Sequence, residues 1–287
     1  MPQFGPARRD ATASSSRRAV GPARQDARRV ITTHHDELDG LPVVWRSAAG
    51  NGTPVLYLHG VPDAGDLWEP FLARTGGVAP DLPGFGGSAK RGDLDYSIEG
   101  YADWLERFMA HAGLDGVRLV MHDWGVVGLA LAQRRPERIE RLVAIDTVPF
   151  LPGYRWHPLA RVWRAPMLGE AAMGMAIRPV VKRLVPAGRA DPVMAGFDPG
   201  TQRAILLLYR ASPPEVLAAA GRELNRIAAP ALVVHGARDR YIPARFADGL
   251  AAVLGDGRAE HVEHAGHWPW LDRPELVDRI CAFLSGD

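Results

Sequence analysis

Asp123 is the residue of this chain best placed to do chemistry. It follows Val117-Arg118-Leu119-Val120-Met121-His122, a β-branched and apolar run, and leads without a polar loop through Trp124-Gly125 into Leu129-Ala130-Leu131-Ala132-Gln133-Arg134, which has the spacing of a buried helix. A strand-turn-helix this abrupt holds its central residue in a strained conformation and lifts the side chain above the strand ends. A carboxylate there, with a reference pKa of about 4, is ionised at neutral pH, so it can attack an sp³ carbon with no base to deprotonate it. The competing reading is a helix N-cap, a position that suits Asp.

Loops after other strands offer partners. Asp239, in Ala237-Arg238-Asp239-Arg240-Tyr241-Ile242-Pro243, is a second acid, and His267, in Glu263-His264-Ala265-Gly266-His267-Trp268, is a base. Each has a rival. Asp239 also suits a turn, Asp146 ends another strand and could be the acid, His264 could replace His267, and His122 could be a core histidine. The spacing of His261, His264 and His267 hints at a metal, but a strand running into a loop would splay them, so no metal is expected.

The elements that must position these groups need a large core, and 287 residues with 47% hydrophobic and 23% charged side chains suffice for one, with room for an inserted subdomain. A net charge of +1 suggests no nucleic-acid or membrane partner. Apolar runs fall short of the roughly 20 residues that span a bilayer, and no apolar block opens the chain, so a soluble, cytoplasmic protein is expected. Cys281, the single cysteine, excludes an internal disulfide and reads as core packing in an amphipathic helix. Residues 1–29 are rich in Arg, Ala, Ser and Pro and poor in large apolar residues, which predicts a disordered tail. Arg17-Arg18 lacks the hydrophobic segment of a twin-arginine signal; a polybasic interaction tail is the alternative.

From Val30 two short strands are expected, 30–34 and 41–46, joined by Asp39-Gly40 turn chemistry. Val55-Leu56-Tyr57-Leu58 is apolar throughout, as in strands buried on both faces of a parallel sheet. Further strands are expected at 77–80, 139–145, 231–236 and about 259–262, with helices at 68–74 and 98–112. The loop Asp81-Leu82-Pro83-Gly84-Phe85-Gly86-Gly87-Ser88 lacks the spacing and Lys-Ser/Thr end of a phosphate cradle. This alternation implies a parallel, doubly wound sheet with a site at the strand C-terminal ends. Between about Phe150 and Glu223 it stops, and helices separated by prolines are expected at 163–175, 177–184 and 201–210.

The residues His122-Asp123-Trp124-Gly125, His59-Gly60-Val61-Pro62, Asp-x-Pro-Gly-x-Gly-x-Ser at 81–88, and the order Asp123, Asp239, His267 resemble the α/β-hydrolase fold. Within it the chain is similar to the Asp-nucleophile branch, the epoxide hydrolases and haloalkane dehalogenases. The resemblance covers residues 30–287 and implies a mostly parallel doubly wound core at 30–148 and 224–287, with a helical cap inserted at 149–223. It departs from the family's elbow, which places small residues at the three positions held here by Met121, Gly125 and Val126.

The resemblance also implies roles: Asp123 as nucleophile, His267 as the base that activates water, Asp239 as the acid that orients it, and the backbone N–H groups of Val61 and Trp124 as oxyanion or halide donors. No cofactor is implied. Tyr209 matches the place of a cap tyrosine that protonates an opened epoxide, with Tyr154 as a possible second donor. A halide would instead lean on Trp124, with Trp156 or Trp163 as partner. Tyr209, and Val61 where many dehalogenases carry Asn, favour epoxide hydrolysis to a diol; the segment Val162 to Glu170 looks closer to dehalogenase caps, which makes haloalkane hydrolysis the alternative. An ester-type hydrolase or a silent ligand-binding scaffold is less favoured. The expected partner is a small apolar substrate, and the expected assembly a monomer or homodimer.

Overall fold

The computed structural model describes residues 29–176 and 178–286. The disordered-tail expectation for 1–28 lies outside these residues, while Arg29, the last residue of that segment, is held by hydrogen bonds to Ala49, Ala73 and Arg74 carbonyls.

An eight-stranded sheet runs in the order β1-β2-β4-β3-β5-β6-β7-β8. β1 (Ile31–Leu38) and β2 (Leu41–Ala48) form an antiparallel hairpin at one edge, each strand running on past its expected C-terminal end because pairing continues from Leu38↔Leu41 to Ile31↔Ala48. β2 pairs antiparallel with β4 (Gly77–Pro80); from β4 onward β3 (Val55–Leu58), β5 (Val117–His122), β6 (Ile139–Ile145), β7 (Pro230–Gly236) and β8 (Asp256–Val262) are parallel. Two-residue alternation sends neighbours to opposite faces, so Leu119 and Met121 of β5 join one apolar cluster and Val120 the other.

Helices cover both faces. α1 (Glu69–Thr75) contributes Phe71 and Leu72 to the cluster on one side, and α2 (Ile98–His111) and α3 (Gly128–Arg134) contribute Leu105, Phe108 and Leu129 to the other. Between β6 and β7 lie six helices: α4 (Pro158–Arg164), α5 (Leu168–Gly174), α6 (Arg178–Leu184), α7 (Ala190–Gly196), α8 (Pro199–Ala211) and α9 (Pro214–Ala220). The helix expected across 163–175 is two helices. Pro166 cannot donate to the carbonyl four residues back, and Met167 turns the chain with φ 64° before α5 restarts. α10 (Arg245–Val253), α11 (Pro269–Asp272) and α12 (Glu275–Ser285) complete the core, with Ile280 and Leu284 of α12 packing beside α1.

The 81–88 loop is a brace. Asp81 accepts from Gly65 N, Gly87 N and Arg46, and Ser88 Oγ accepts from Val44 N, which ties the loop after β4 to β2.

Candidate active site

β5 ends at His122 and is followed by Asp123, whose φ is 50°, a left-handed backbone that L-residues adopt at a cost of about 1–3 kcal/mol. Close packing on two glycines permits it. A Cβ on Gly60 would lie 2.3 Å from Asp123 Cβ, and one on Gly125 would lie 2.2 Å from the Leu58 carbonyl oxygen. Val126 is accommodated fully buried. Glycine on the facing loop thus leaves room for Asp123 itself, and Gly128 leaves room for the Met121 sulfur.

Asp123 Oδ1 accepts the Val61 N–H at 2.8 Å, and Oδ2 stands 3.4 Å from His267 Nε2. His267 Nδ1 donates to Asp239 Oδ2 at 2.7 Å. Asp239 Oδ1 accepts the Tyr241 and Ile242 N–H groups at 2.6 and 3.2 Å. The structure therefore brings Asp239, and not Asp146, onto the imidazole. His264 lies on the exposed side, where its ring meets Arg238, and His261 pairs with Asp248, so the three histidines have separate partners. His122 packs against His267 and bonds its carbonyl oxygen at 2.8 Å, and burial drives its pKa down to about 3, so it stays neutral.

The electrostatics follow from burial and mutual contact. Burial pushes the Asp123 carboxyl up, but His267, His122 and the Val61 N–H outweigh it and leave it below the usual range. Burial likewise opposes the charge on Asp239, yet His267 and the backbone donors bring it down to about 2. His267 loses proton affinity through burial and regains more from Asp239 and Asp123, which hold it well above the ordinary imidazole range. The site at rest is an imidazolium between two carboxylates.

Above it lies a cavity of about 110 Å³, lined mostly by apolar and aromatic side chains of the inserted helices and of the segment leading into them. Tyr209, on α8, packs edge-on to Trp124 at 5.2 Å and beside Trp156 and Trp163. Burial and the Asp123 charge raise the Tyr209 hydroxyl well above its usual range, so it keeps its proton. The buried Trp124 indole N–H lies near that hydroxyl without closing a hydrogen bond, and the Tyr154 hydroxyl is also buried without an acceptor. Trp156 is committed, donating to the Ser212 carbonyl at 3.0 Å. Trp163 lines the cavity with Tyr209.

His157 was missed by the sequence reading. It caps α4, its Nδ1 accepting the Ala160 N–H at 3.3 Å, which leaves the proton of a neutral ring on Nε2. Burial lowers its pKa to about 4, and the ring lines the cavity. The His157-Pro158 pair, a helix start with Pro at its first position, was the available signal.

Residues 55–280 match the alpha/beta hydrolase family. A haloalkane dehalogenase of Mycolicibacterium paratuberculosis is 30% identical over 255 residues, covering 81% of this chain and 84% of the relative. One of Bradyrhizobium diazoefficiens is 28% identical over 287 residues, covering 86% and 92%. Among solved structures, haloalkane dehalogenase DbeA from Bradyrhizobium elkani is similar with a TM-score of 0.77 at 26% identity, covering 90% of this chain and 98% of that one. The fold, the loops that carry Asp123, Asp239 and His267, and these relatives agree: the chain belongs to the alpha/beta hydrolase family and is an enzyme of its epoxide hydrolase and haloalkane dehalogenase type.

Proposed function

We propose that the protein hydrolyses small apolar haloalkanes to alcohols through an alkyl ester on Asp123. This replaces the preference for epoxides drawn from the sequence, because the relatives named above are dehalogenases. The observation that carries the reading is the Trp124 indole N–H, buried next to the nucleophile in the chain and packed against Tyr209 of the apolar cavity, with no acceptor of its own. A departing halide is such an acceptor. Trp163 is the candidate second donor and residues 149–223 act as the cap.

In the first step Asp123 attacks the halogen-bearing carbon, a C–O bond forms, the C–X bond breaks, and halide leaves with the electron pair. Asp123 is now a neutral ester. One of the two carboxylates that held the proton on His267 has gone, so the imidazole releases it to solvent and becomes a base. His267, oriented by Asp239, then takes a proton from water as its oxygen adds to the Asp123 carboxyl carbon. The Val61 N–H, already on Oδ1, is aimed where oxyanion charge develops; such a donor is typically worth about 3 kcal/mol. Collapse breaks the ester C–O bond, the departing alkoxide takes the proton held by His267 and leaves as the alcohol, and the remaining water proton passes to His267 as the Asp123 carboxylate is restored.

Epoxide opening is the second reading, favoured by the protonated hydroxyls of Tyr209 and Tyr154 in the same cavity. An alkoxide leaving group needs such a proton donor. Bromide release from bromoalkanes, measured beside diol formation from epoxides of the same chain length, tests the choice. Diol without bromide sinks the dehalogenase reading, and neither product sinks both.

A further inference from the structure

β6 ends in a carboxyl group that the reaction above leaves unused. Asp146 is buried, and its side chain, that of Asp239 and the His267 ring each place an atom within 4.8 Å of the others. Of these two carboxyls the imidazole hydrogen-bonds only Asp239. Asp146 receives a single backbone N–H, from Gly236, shared between its oxygens at 3.1 and 3.2 Å. His235 approaches to 3.6 Å, but the same Nε2 is bonded to the Ile242 carbonyl at 2.9 Å. α10 presents Phe246, Ala247 and Leu250 to this region and no charge. Among the described residues, the titratable groups facing Asp146 are therefore Asp239, His267 and His235.

Two desolvated carboxyls this close do not both stay ionised; one keeps a proton, and the pair titrates as a unit. Hydrogen bonding decides which. Asp239 already holds the His267 Nδ1–H and two backbone N–H groups, all of which favour its charged form, whereas Asp146 has one shared donor. Burial and the contact with Asp239 both move the Asp146 carboxyl well above the carboxylate range.

We propose that Asp146 is a positioning residue for this site, a neutral carboxylic acid whose O–H donates to Asp239 and holds that carboxylate in place for His267. The catalytic part of this rests on the proposed reaction, in which His267 is the base of ester hydrolysis; the shared proton does not. With this fourth donor lost, Asp239 would be free to shift and carry the imidazole with it. A group misplaced by about 1 Å can cost about 10²-fold in rate.

The test has two parts. Infrared difference spectra of the parent protein minus Asp146→Asn, taken at neutral pH without substrate, should contain the C=O band of a neutral carboxylic acid that shifts in D₂O; a difference made only of carboxylate bands overturns the proposal. In single turnovers, Asp146→Leu should slow hydrolysis of the Asp123 ester at least about tenfold while its formation changes less than about threefold. Asp146→Asn, which keeps a neutral donor, should recover most of that loss. Equal losses in the two variants, or a larger loss in Asn, show that Asp146 works as a carboxylate and overturn the proposal. Should the parent take up no alkyl mass from any haloalkane or epoxide, the reaction reading fails, and the infrared result alone still decides the carboxyl pair, whether or not the Leu variant folds.

Discussion

The loops of the sheet and the helices inserted after β6 meet at one cavity but are built by different means. In the sheet loops, backbone N–H groups and tight turns locate each reactive atom: Val61 N on Asp123, Tyr241 and Ile242 N on Asp239, and φ 50° at Asp123 itself. The insert uses short helices, five of them of seven residues, and offers ring faces and hydroxyls through side chains alone. It also leaves Met167, Leu168 and Met175 exposed. The lesson is a division of labour: backbone geometry fixes the carboxylates and imidazole proposed to react, while side-chain packing shapes the cavity they face.

That division predicts the largest effects in the sheet loops. Asp123→Ala should cost about 10⁴-fold or more in turnover, the scale of nucleophile removal in other hydrolases, while calorimetry shows one cooperative transition. Activity retained on the best substrate would end the nucleophile assignment. His267→Gln should still be alkylated and then stall, so intact mass after exposure to a bromoalkane rises by the alkyl group; an unmodified, fully active variant would remove His267 from the mechanism.

A variant in the insert should discriminate substrates instead of abolishing both steps. Tyr209→Phe should lower epoxide opening by about 10²- to 10⁴-fold if Tyr209 is the general acid. Bromide release should change far less in that variant, and Trp124→Phe should reverse the ranking. Equal losses on both substrates would place Tyr209 in packing alone.

A smaller effect is expected with pH, and its sign separates the two steps. Asp123 lies below the usual carboxylate range, so ester formation should be flat from about pH 5 to 8. Ester hydrolysis needs neutral His267, so its rate should rise with pH through the imidazole's range in the alkylated enzyme and then level. Rapid-quench measurement of each step at several pH values checks this; hydrolysis that falls as pH rises would contradict His267 as base.

The boundary between the regions has its own anchor, which the sequence reading missed. Arg189, just before α7, bonds Asp63 at 2.7 and 3.0 Å and Asp66 at 2.7 Å. Asp63 also accepts the Trp268 indole N–H at 2.9 Å, so one carboxylate joins the insert to the loops carrying Val61 and His267. Arg189→Met would leave Asp63 buried and unpaired, at a cost of about 3–5 kcal/mol in unfolding free energy. An unchanged denaturation midpoint would show that the insert is held by apolar packing instead.

Local sequence determined a great deal here because its patterns are short-range. Gly77–Pro80 and Ile139–Ile145 are strands at the expected residues, since short, mostly apolar runs such as 142–145 suit strands buried on both faces of a sheet. The elbow at Asp123 was legible from an abrupt strand-to-helix change of period. Pro166 was legible too, but its effect on the 163–175 helix was underweighted against apolar spacing.

What tertiary structure alone decided are the pairings between residues far apart in the chain. Asp146 and Asp239 both follow the ends of neighbouring strands and carry the same chemistry, so no local pattern says which one His267 meets; the path of the loop after β7, pinned by the Tyr241 and Ile242 N–H groups, turns Asp239 inward. The backbone turn at Asp123 depends on Gly60, over sixty residues away, lying against its side chain. His157 and Tyr209 share a cavity, and Trp124 packs edge-on to Tyr209, only because α4 and α8 pack across the strand ends. Strand and helix periods repeat within a few residues and can be read in one dimension, whereas which side chains face one another across a gap is set by packing of whole elements.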